Sequence, residues 1–179
     1  MKSWIALFRG INVMGNNMLP MKDLAALLEG LGFREVRTYI QSGNAVFASA
    51  GTAASLTARI GARFERLLEF RPCVVLLEAR ELAQAIAKNP FPDGAADPKS
   101  LHLWFLEARP AAAGVAALEG LRAASERFAV RGRVLYLHAP EGFGISKLAA
   151  RAEKTLGTRG TARNWRTVTT LHAMARGKR

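Results

Sequence analysis

In the stretch Val36-Arg-Thr-Tyr-Ile-Gln-Ser-Gly-Asn-Ala-Val-Phe-Ala48, two β-rich segments flank a Ser-Gly-Asn turn. Gly and Asn tolerate the backbone that tight turns need, so the pattern predicts a β-hairpin. Before it, the all-apolar run Trp4–Phe8 is typical of a central strand. Between the two, residues 20–32 place their leucines at helical spacing. The chain therefore begins with a strand, a helix and a hairpin.

This order of elements continues and then repeats. A second helix capped by Thr52 and an apolar strand at Cys73–Leu77 follow the hairpin. Beyond a Pro-rich break, the sequence predicts a strand at Leu101–Glu107, an Ala-rich helix over 110–124, a hairpin around Arg131-Gly-Arg133, a helix at Lys147–Leu156 and a last helix from Ala162 to Ala175. We therefore predict an α+β protein of two tandem βαββα, ferredoxin-like halves, with antiparallel or mixed sheets covered by helices, plus a C-terminal helix. The expected domains are residues 1–90 and 99–179.

The charge of the chain is strongly positive and unevenly placed. Its 179 residues are 50% apolar, enough for a buried core, and carry a formal charge of +12. Residues 145–179 hold nine Lys or Arg and one acid, Glu153. Such asymmetry favours an anionic partner, either a phosphate-bearing small molecule or nucleic acid. The alternative is a solvated basic surface in a protein that prefers Arg to Lys.

Several classes of protein are excluded by composition. One cysteine rules out a disulfide framework, and no apolar run approaches the ~18–20 residues that span a bilayer. The N-terminal apolar stretch is too short for a signal peptide. The histidines His102, His138 and His172 are far apart and form no metal-binding motif. We expect a cytoplasmic protein with no membrane partner, no metal and no cofactor, whose oligomeric state the sequence leaves open.

Two turns of the first half carry more amide and hydroxyl groups than turns require. One is the Gly- and Asn-rich loop after the first strand, and the other is the hairpin turn. Loops between a strand and a helix often hold ligand groups. The alternative is a surface loop shaped by residues that tolerate positive φ. The candidate ligand-binding residues here are Arg9, Asn12, Asn17, Gln41, Ser42 and Asn44.

The segment Gly142-Phe-Gly-Ile-Ser-Lys147 has the ingredients of a phosphate loop, although it is not a Walker A motif. Glycines let backbone N–H groups converge, and a helix start attracts an anion. Ser146 and Lys147 are therefore candidate ligand-binding residues. The alternative is a glycine turn in which Ser146 is only a helix cap.

The segment Thr161–Thr167 is expected to open the last helix, with Thr161 as its N-cap. Arg163 and Asn164 then lie near a helix N-terminus, where a phosphate would be stabilised. They complete the candidate ligand-binding set. The alternative is a solvated helix face.

These segments resemble the bacterial family known as domain of unknown function 1697. The resemblance runs from about Lys2 to Leu171 and rests on Ile5-Ala-Leu-Phe-Arg-Gly-Ile-Asn-Val-Met-Gly-Asn-Asn17, Pro20-Met-Lys-Asp-Leu24, Arg37-Thr-Tyr-Ile-Gln-Ser-Gly-Asn44, Pro140-Glu-Gly-Phe-Gly144 and Thr161-Ala-Arg-Asn-Trp-Arg-Thr167. Met14 stands where the family commonly has a Gly. The resemblance implies a soluble α+β protein with two tandem ferredoxin-like halves. It implies no established activity and supplies no catalytic residue.

The function that we expect is that of a binding module for an anionic, phosphate-bearing ligand, a nucleotide or nucleic acid. The alternatives are a small metal-independent enzyme that uses the cluster Arg9, Gln41 and Asn44, or a structural or interaction protein. Whether the protein is an enzyme stays open. We expect the side chains of these three residues to lie within reach of one another, with Arg163 bordering the same depression.

Overall fold

The computed structural model describes residues 1–12 and 17–177. Its strands are β1 (Lys2–Arg9), β2 (Arg34–Tyr39), β3 (Asn44–Ser49), β4 (Cys73–Glu78), β5 (Leu101–Leu106), β6 (Arg127–Arg131), β7 (Val134–His138) and β8 (Gly160–Asn164). Its α-helices are α1 (Met21–Glu29), α2 (Ala53–Leu68), α3 (Ala79–Ala87), α4 (Ala112–Ala117), α5 (Lys147–Leu156) and α6 (Trp165–Ala175). Single 3₁₀ turns lie at Asp93–Ala96, Leu118–Leu121 and Phe143–Ile145. No described helix is long and apolar enough to cross a membrane.

The chain divides into two compact units. The first comprises Met1–Ala83 and the described part of Thr170–Arg179, and the second comprises Gln84–Thr169. Each unit contains one four-stranded sheet with an α-helix after its first strand and another after its third. The predicted α+β class with two tandem halves and antiparallel sheets is confirmed. The expected domains, residues 1–90 and 99–179, stay a prediction.

The first unit is built on a sheet of strand order β2-β3-β1-β4, in which every neighbouring pair is antiparallel. The apolar run of β1 takes the inner position because its side chains are buried on both faces. Trp4 lies opposite Phe47 of β3, and both join the core formed with α1 and α2. Phe33 stacks on Phe47 with ring centroids 4.4 Å apart, and Phe64 of α2 stacks on Phe8 at 5.5 Å.

The second unit repeats this sheet with the order β6-β7-β5-β8, again antiparallel throughout. Its core includes Leu106, Leu135 and Leu148, which lie on β5, β7 and α5. Gly114 brings α4 close to α5, because a Cβ at this position would lie 2.7 Å from the Thr155 carbonyl oxygen. The close approach of the two helices therefore depends on a residue without a side chain.

The last strand of the second unit corrects the sequence prediction. Residues Thr161–Asn164 were expected to open a helix, but they form part of β8, which pairs with β5. The helix begins at Trp165, and Asn164 caps it, since its Oδ1 accepts a hydrogen bond of 2.9 Å from the Thr167 N–H. Each unit is therefore βαββαβ. In the first unit the last strand, β4, matches the strand expected at Cys73–Leu77, whereas β8 of the second unit was not predicted.

The Ala-rich helix of the second unit is also shorter than predicted. The sequence indicated a helix over residues 110–124, whereas α4 ends at Ala117 and the chain continues as the 3₁₀ turn Leu118–Leu121. Beyond the turn, the Ala123 N–H donates to a carboxylate oxygen of Glu126 at 2.9 Å, which offers the backbone an alternative to helical hydrogen bonding.

The end of α6 belongs to the first unit through hydrogen bonds to two of its strands. The Ser3 hydroxyl of β1 donates to the Ala175 carbonyl oxygen at 3.1 Å. The Arg37 guanidinium of β2 donates to the Met174 carbonyl oxygen. The last carbonyls of a helix lack the usual intrahelical donors, and Ser3 supplies one to Ala175. The Met174 carbonyl also accepts from the Gly177 N–H at 3.0 Å, so Arg37 is its second donor.

A Tyr136→Phe variant is expected to lower the free energy of unfolding by about 1–2 kcal/mol. Tyr136 is buried, and its hydroxyl donates to the Ala85 carbonyl oxygen at 2.8 Å. Burial also raises the pKa of Tyr136 to about 12. Removing the hydroxyl leaves a buried carbonyl without this donor, and urea unfolding measures the loss.

The matched control is Tyr39→Phe, because Tyr39 is the second tyrosine of the chain and is only half-buried. We expect this change to stay within about 0.5 kcal/mol of the parent protein. Equal losses for both variants would show that the hydroxyl of Tyr136 contributes nothing specific.

Candidate functional site

The loop after β1 and the first hairpin are joined by Asn12. Its Nδ2 donates to the Leu19 carbonyl oxygen at 2.8 Å and to the Gln41 carbonyl oxygen at 2.9 Å, and its Oδ1 accepts from the Leu19 N–H at 2.6 Å. Asn17 supports the same loop, because its Nδ2 donates to the Gly10 carbonyl oxygen at 2.7 Å. The two asparagines thus bond to the backbone of Gly10, Leu19 and Gln41.

The hairpin turn is also organised around an asparagine. Asn44 is fully buried, and its Nδ2 donates to the Tyr39 carbonyl oxygen at 3.1 Å and to the Ser42 hydroxyl at 3.0 Å. Gly43 has a φ of +76°, and a Cβ there would lie 2.7 Å from Ile11. The turn therefore packs directly on the loop, and glycine is required by both conformation and space.

These contacts bring the loop and the hairpin turn together, but through backbone atoms of Gln41 rather than its side chain. Gln41 is exposed, as is Arg9, which pairs with Cys73 of β4 at the end of β1. That the side chains of Arg9, Gln41 and Asn44 reach one another stays a prediction. The Met14 position, where the family resemblance departs, lies outside the described residues.

Arg163 lies on β8 and not in the first turn of a helix. Its Nη1 donates to the Thr161 hydroxyl at 2.6 Å and to the Ala162 carbonyl oxygen at 2.8 Å. Burial lowers the pKa of Arg163 to about 10. Its guanidinium is thus held by its own strand, and Asn164 is a helix cap. That Arg163 borders the depression at the first hairpin stays a prediction.

Ser146 and Lys147 line a cleft of about 310 Å³ in the second unit. Ser146 is the N-cap of α5, since its hydroxyl accepts a hydrogen bond of 3.0 Å from the Ala149 N–H. Lys147 is the first residue of the helix and is exposed. The positive end of the α5 dipole and the lysine ammonium therefore lie at one wall of the cleft.

The lining of the same cleft also includes Arg122. Its guanidinium forms an ion pair of 2.6 Å with Glu119 and donates to the Glu126 carbonyl oxygen at 2.8 Å. These contacts fix the direction of a half-buried side chain. Sequence reasoning missed Arg122; the available signal was its spacing from Glu119 and Glu126.

Two carboxylates also line the cleft, namely Glu126, which is buried, and Glu141, which is exposed. A cleft with two cations and two carboxylates can hold a phosphate and also accept hydrogen bonds from hydroxyl groups. Within residues 1–12 and 17–177, no group of three or more His, Cys, Asp or Glu side chains is arranged to hold a metal ion.

The loop beside the cleft covers two polar aromatic side chains. Phe143 stacks on His102 with ring centroids 3.9 Å apart and tilts over Trp104 at 5.9 Å. Nδ1 of His102 and Nε1 of Trp104 are buried without a hydrogen-bond partner among the described residues. Burial lowers the pKa of His102 to about 4, so the imidazole is neutral at pH 7.

Comparison with known proteins gives a family and a fold. The family model described as "Protein of unknown function (DUF1697)" matches residues 1–136. The chain is similar to the solved structure of conserved bacterial protein SP0830 from Streptococcus pneumoniae, with 23% identity and a TM-score of 0.79. The similarity covers 97% of this chain and 98% of that one. The search of curated proteins gave no significant match.

Proposed function

The chain belongs to the DUF1697 family of proteins of unknown function, and we propose that it is a binding module for a small phosphate-bearing molecule, which is held in the cleft of the second unit. Of the ligand-binding residues suggested by the sequence, this proposal uses Ser146 and Lys147. It adds Arg122, which lines the same cleft.

The observation that carries the proposal is the convergence of three cationic features on one cavity. Lys147 supplies an ammonium group, Arg122 a guanidinium, and the start of α5 the positive end of a helix dipole. Arg122 is already oriented by Glu119 and by the Glu126 carbonyl, so little side-chain entropy is lost on binding. A phosphate between these groups would accept charge-assisted hydrogen bonds.

The carboxylates of the cleft favour a small hydroxylated ligand over nucleic acid. Glu126 and Glu141 would repel a string of phosphates. The same carboxylates accept hydrogen bonds from sugar hydroxyls, as acidic residues do for ribose in nucleotide sites. A sugar phosphate or a mononucleotide offers one phosphate group to the cations and sugar hydroxyls to the carboxylates. A polyanion brings further phosphates, which the carboxylates repel.

The loop and hairpin of the first unit have a structural role in this proposal. The amide groups of Asn12 and Asn44 are committed to backbone and turn partners, as their hydrogen bonds show. An oxyanion site needs donors aimed at the ligand. This is why the cleft is favoured over an enzyme site at Arg9, Gln41 and Asn44.

A Lys147→Ala/Arg122→Gln double variant is expected to weaken binding of a mononucleotide or sugar phosphate at least tenfold. Each lost charge-assisted hydrogen bond is worth about 1.5–3 kcal/mol, and about 1.4 kcal/mol is a factor of ten. Isothermal titration calorimetry with AMP and with ribose 5-phosphate measures the effect, and adenosine serves as the ligand without a phosphate.

The matched control is Lys154→Ala, which removes an exposed lysine from the last turn of α5. Its affinity is expected to stay within about twofold of the parent, because Lys154 does not line the cleft. Equal binding of adenosine and AMP, or an oligonucleotide that binds more tightly than any mononucleotide, would refute the proposal.

A further inference from the structure

A second cavity, whose charged lining residues are all basic, lies in the first unit, between the end of α1 and the outer face of α2. It measures about 410 Å³ and is lined by Gly30, Leu31, Arg59, Ala62, Arg63 and Arg66. The three arginines lie four and three residues apart along α2, so they share one side of the helix. We call this cavity the arginine pocket.

One arginine of the pocket already has protein partners. The Nη2 of Arg59 donates to the Leu31 carbonyl oxygen at 2.5 Å, and its guanidinium lies 5.1 Å from the ring centroid of Phe33. These contacts fix Arg59 at one end of the row. They leave other N–H groups of its five-donor guanidinium for a ligand.

The other two arginines of the pocket are Arg63 and Arg66, whose guanidinium groups offer further hydrogen-bond donors. Nε of Arg63 is buried and has no hydrogen-bond partner among the described residues. Arg66 is exposed. Gly30 leaves room for Arg63, because a Cβ there would lie 3.1 Å from its Nη2. A buried guanidinium N–H without an acceptor costs free energy. Arg63 as a whole is half-buried and lines the cavity, so the rest of its side chain is open to a bound anion.

The charge of the pocket is all of one sign. Among the described residues that line it, three are cationic and none is acidic. Guanidinium groups bind phosphate through paired hydrogen bonds, and three of them offer more donors than one phosphate needs. From Arg59 to Arg66 the helix rises about 10 Å, at about 1.5 Å per residue, so the row matches an extended anion.

We propose that the arginine pocket binds a free phosphoanhydride, such as pyrophosphate or the phosphate tail of a nucleoside polyphosphate. Single-stranded nucleic acid is less well matched, because its binding sites combine basic groups with aromatic side chains for base stacking. None of the described lining residues is aromatic, and Arg59 already lies over the nearby Phe33. This site is independent of the cleft that holds Lys147.

The test is calorimetric titration of the full chain with pyrophosphate, inorganic phosphate and a short single-stranded oligonucleotide. Pyrophosphate is expected to bind at least tenfold more tightly than phosphate. An Arg63→Gln/Arg66→Gln variant is expected to lose at least tenfold in pyrophosphate affinity, about 1.4 kcal/mol. The single variant Arg66→Gln, which changes only an exposed side chain, should lose several-fold and covers the case in which the double variant does not fold.

The matched control removes the same charge elsewhere in the first unit, through Lys22→Gln/Arg34→Gln, since both residues are exposed and lie outside the pocket. Its pyrophosphate affinity should stay within about twofold of the parent. The proposal would be overturned if the two double variants lost equal affinity, or if pyrophosphate did not bind. It would also be overturned if phosphate bound as tightly as pyrophosphate, or if the oligonucleotide bound more tightly.

Discussion

An Asn12→Ala variant is expected to lose about 3 kcal/mol of the free energy of unfolding. The change removes three hydrogen bonds at once and leaves the Leu19 N–H and the carbonyls of Leu19 and Gln41 without these partners. It also places alanine at a φ of +54°, which costs a side chain about 1 kcal/mol or more. Urea unfolding followed by circular dichroism measures the loss.

The matched variant is Asn12→Gly, which removes the same hydrogen bonds but accepts the positive φ without strain. We expect it to be about 1 kcal/mol more stable than Asn12→Ala. If Asn12→Ala unfolds within about 0.5 kcal/mol of the parent protein, the amide does not hold the loop on the hairpin.

Acidification from pH 7 to pH 4 is expected to remove about 3 kcal/mol of stability through His102. Burial lowers the pKa of His102 to about 4 in the folded protein, whereas an unfolded histidine titrates near 6.5. Between these values the unfolded chain binds a proton that the folded chain does not bind. The stabilisation is therefore complete above about pH 6.5 and is lost as the pH falls toward 4.

The control for this prediction is His102→Asn, which keeps a polar side chain but removes the titration. The pH dependence of its unfolding free energy, measured in urea at several pH values, should be flatter than that of the parent by about 3 kcal/mol at pH 4. Carboxylates such as Asp93, whose pKa is lowered by a hydrogen bond from Arg127, affect both proteins equally. Parallel curves for the two proteins would contradict the prediction.

Local sequence signals were sufficient for the strands that are buried and for the turns that join them. Trp4–Phe8 is apolar at every position, and such a run indicates a strand that is buried on both faces of a sheet. The Ser-Gly-Asn turn requires a positive φ, and Gly43 adopts +76°. In both cases the physical cause lies within a few residues of the signal.

The strand β8 was not predicted, because its own sequence does not indicate a strand. Gly160-Thr-Ala-Arg-Asn164 contains no apolar alternation, and Thr161 is a good helix cap by residue type. Its extended backbone comes from pairing with β5, which lies about sixty residues earlier in the chain. Tertiary pairing of this kind overrides local propensity and leaves little trace in a single sequence.

Only the part of the candidate site at the start of α5 could be predicted from the sequence. The cap role of Ser146 and the exposure of Lys147 follow from residue type and position before a helix. Arg122 lies in the connection before β6, and only the fold brings it to the cleft that Lys147 lines. The arginines of the pocket on α2 have helical spacing in the sequence, but the sequence does not show the cavity beside them.

The hydrogen bonds from Ser3 and Arg37 to the end of α6 have a consequence for the order in which the chain is made. The Met174 carbonyl is synthesised 137 residues after Arg37, a delay of roughly 7–30 s at about 5–20 residues per second. While the ribosome adds those residues, the strands β1 to β4 can already pair with one another, but two of their polar side chains must stay hydrated. The first sheet is thus the earliest to be translated and among the last to receive all of its contacts.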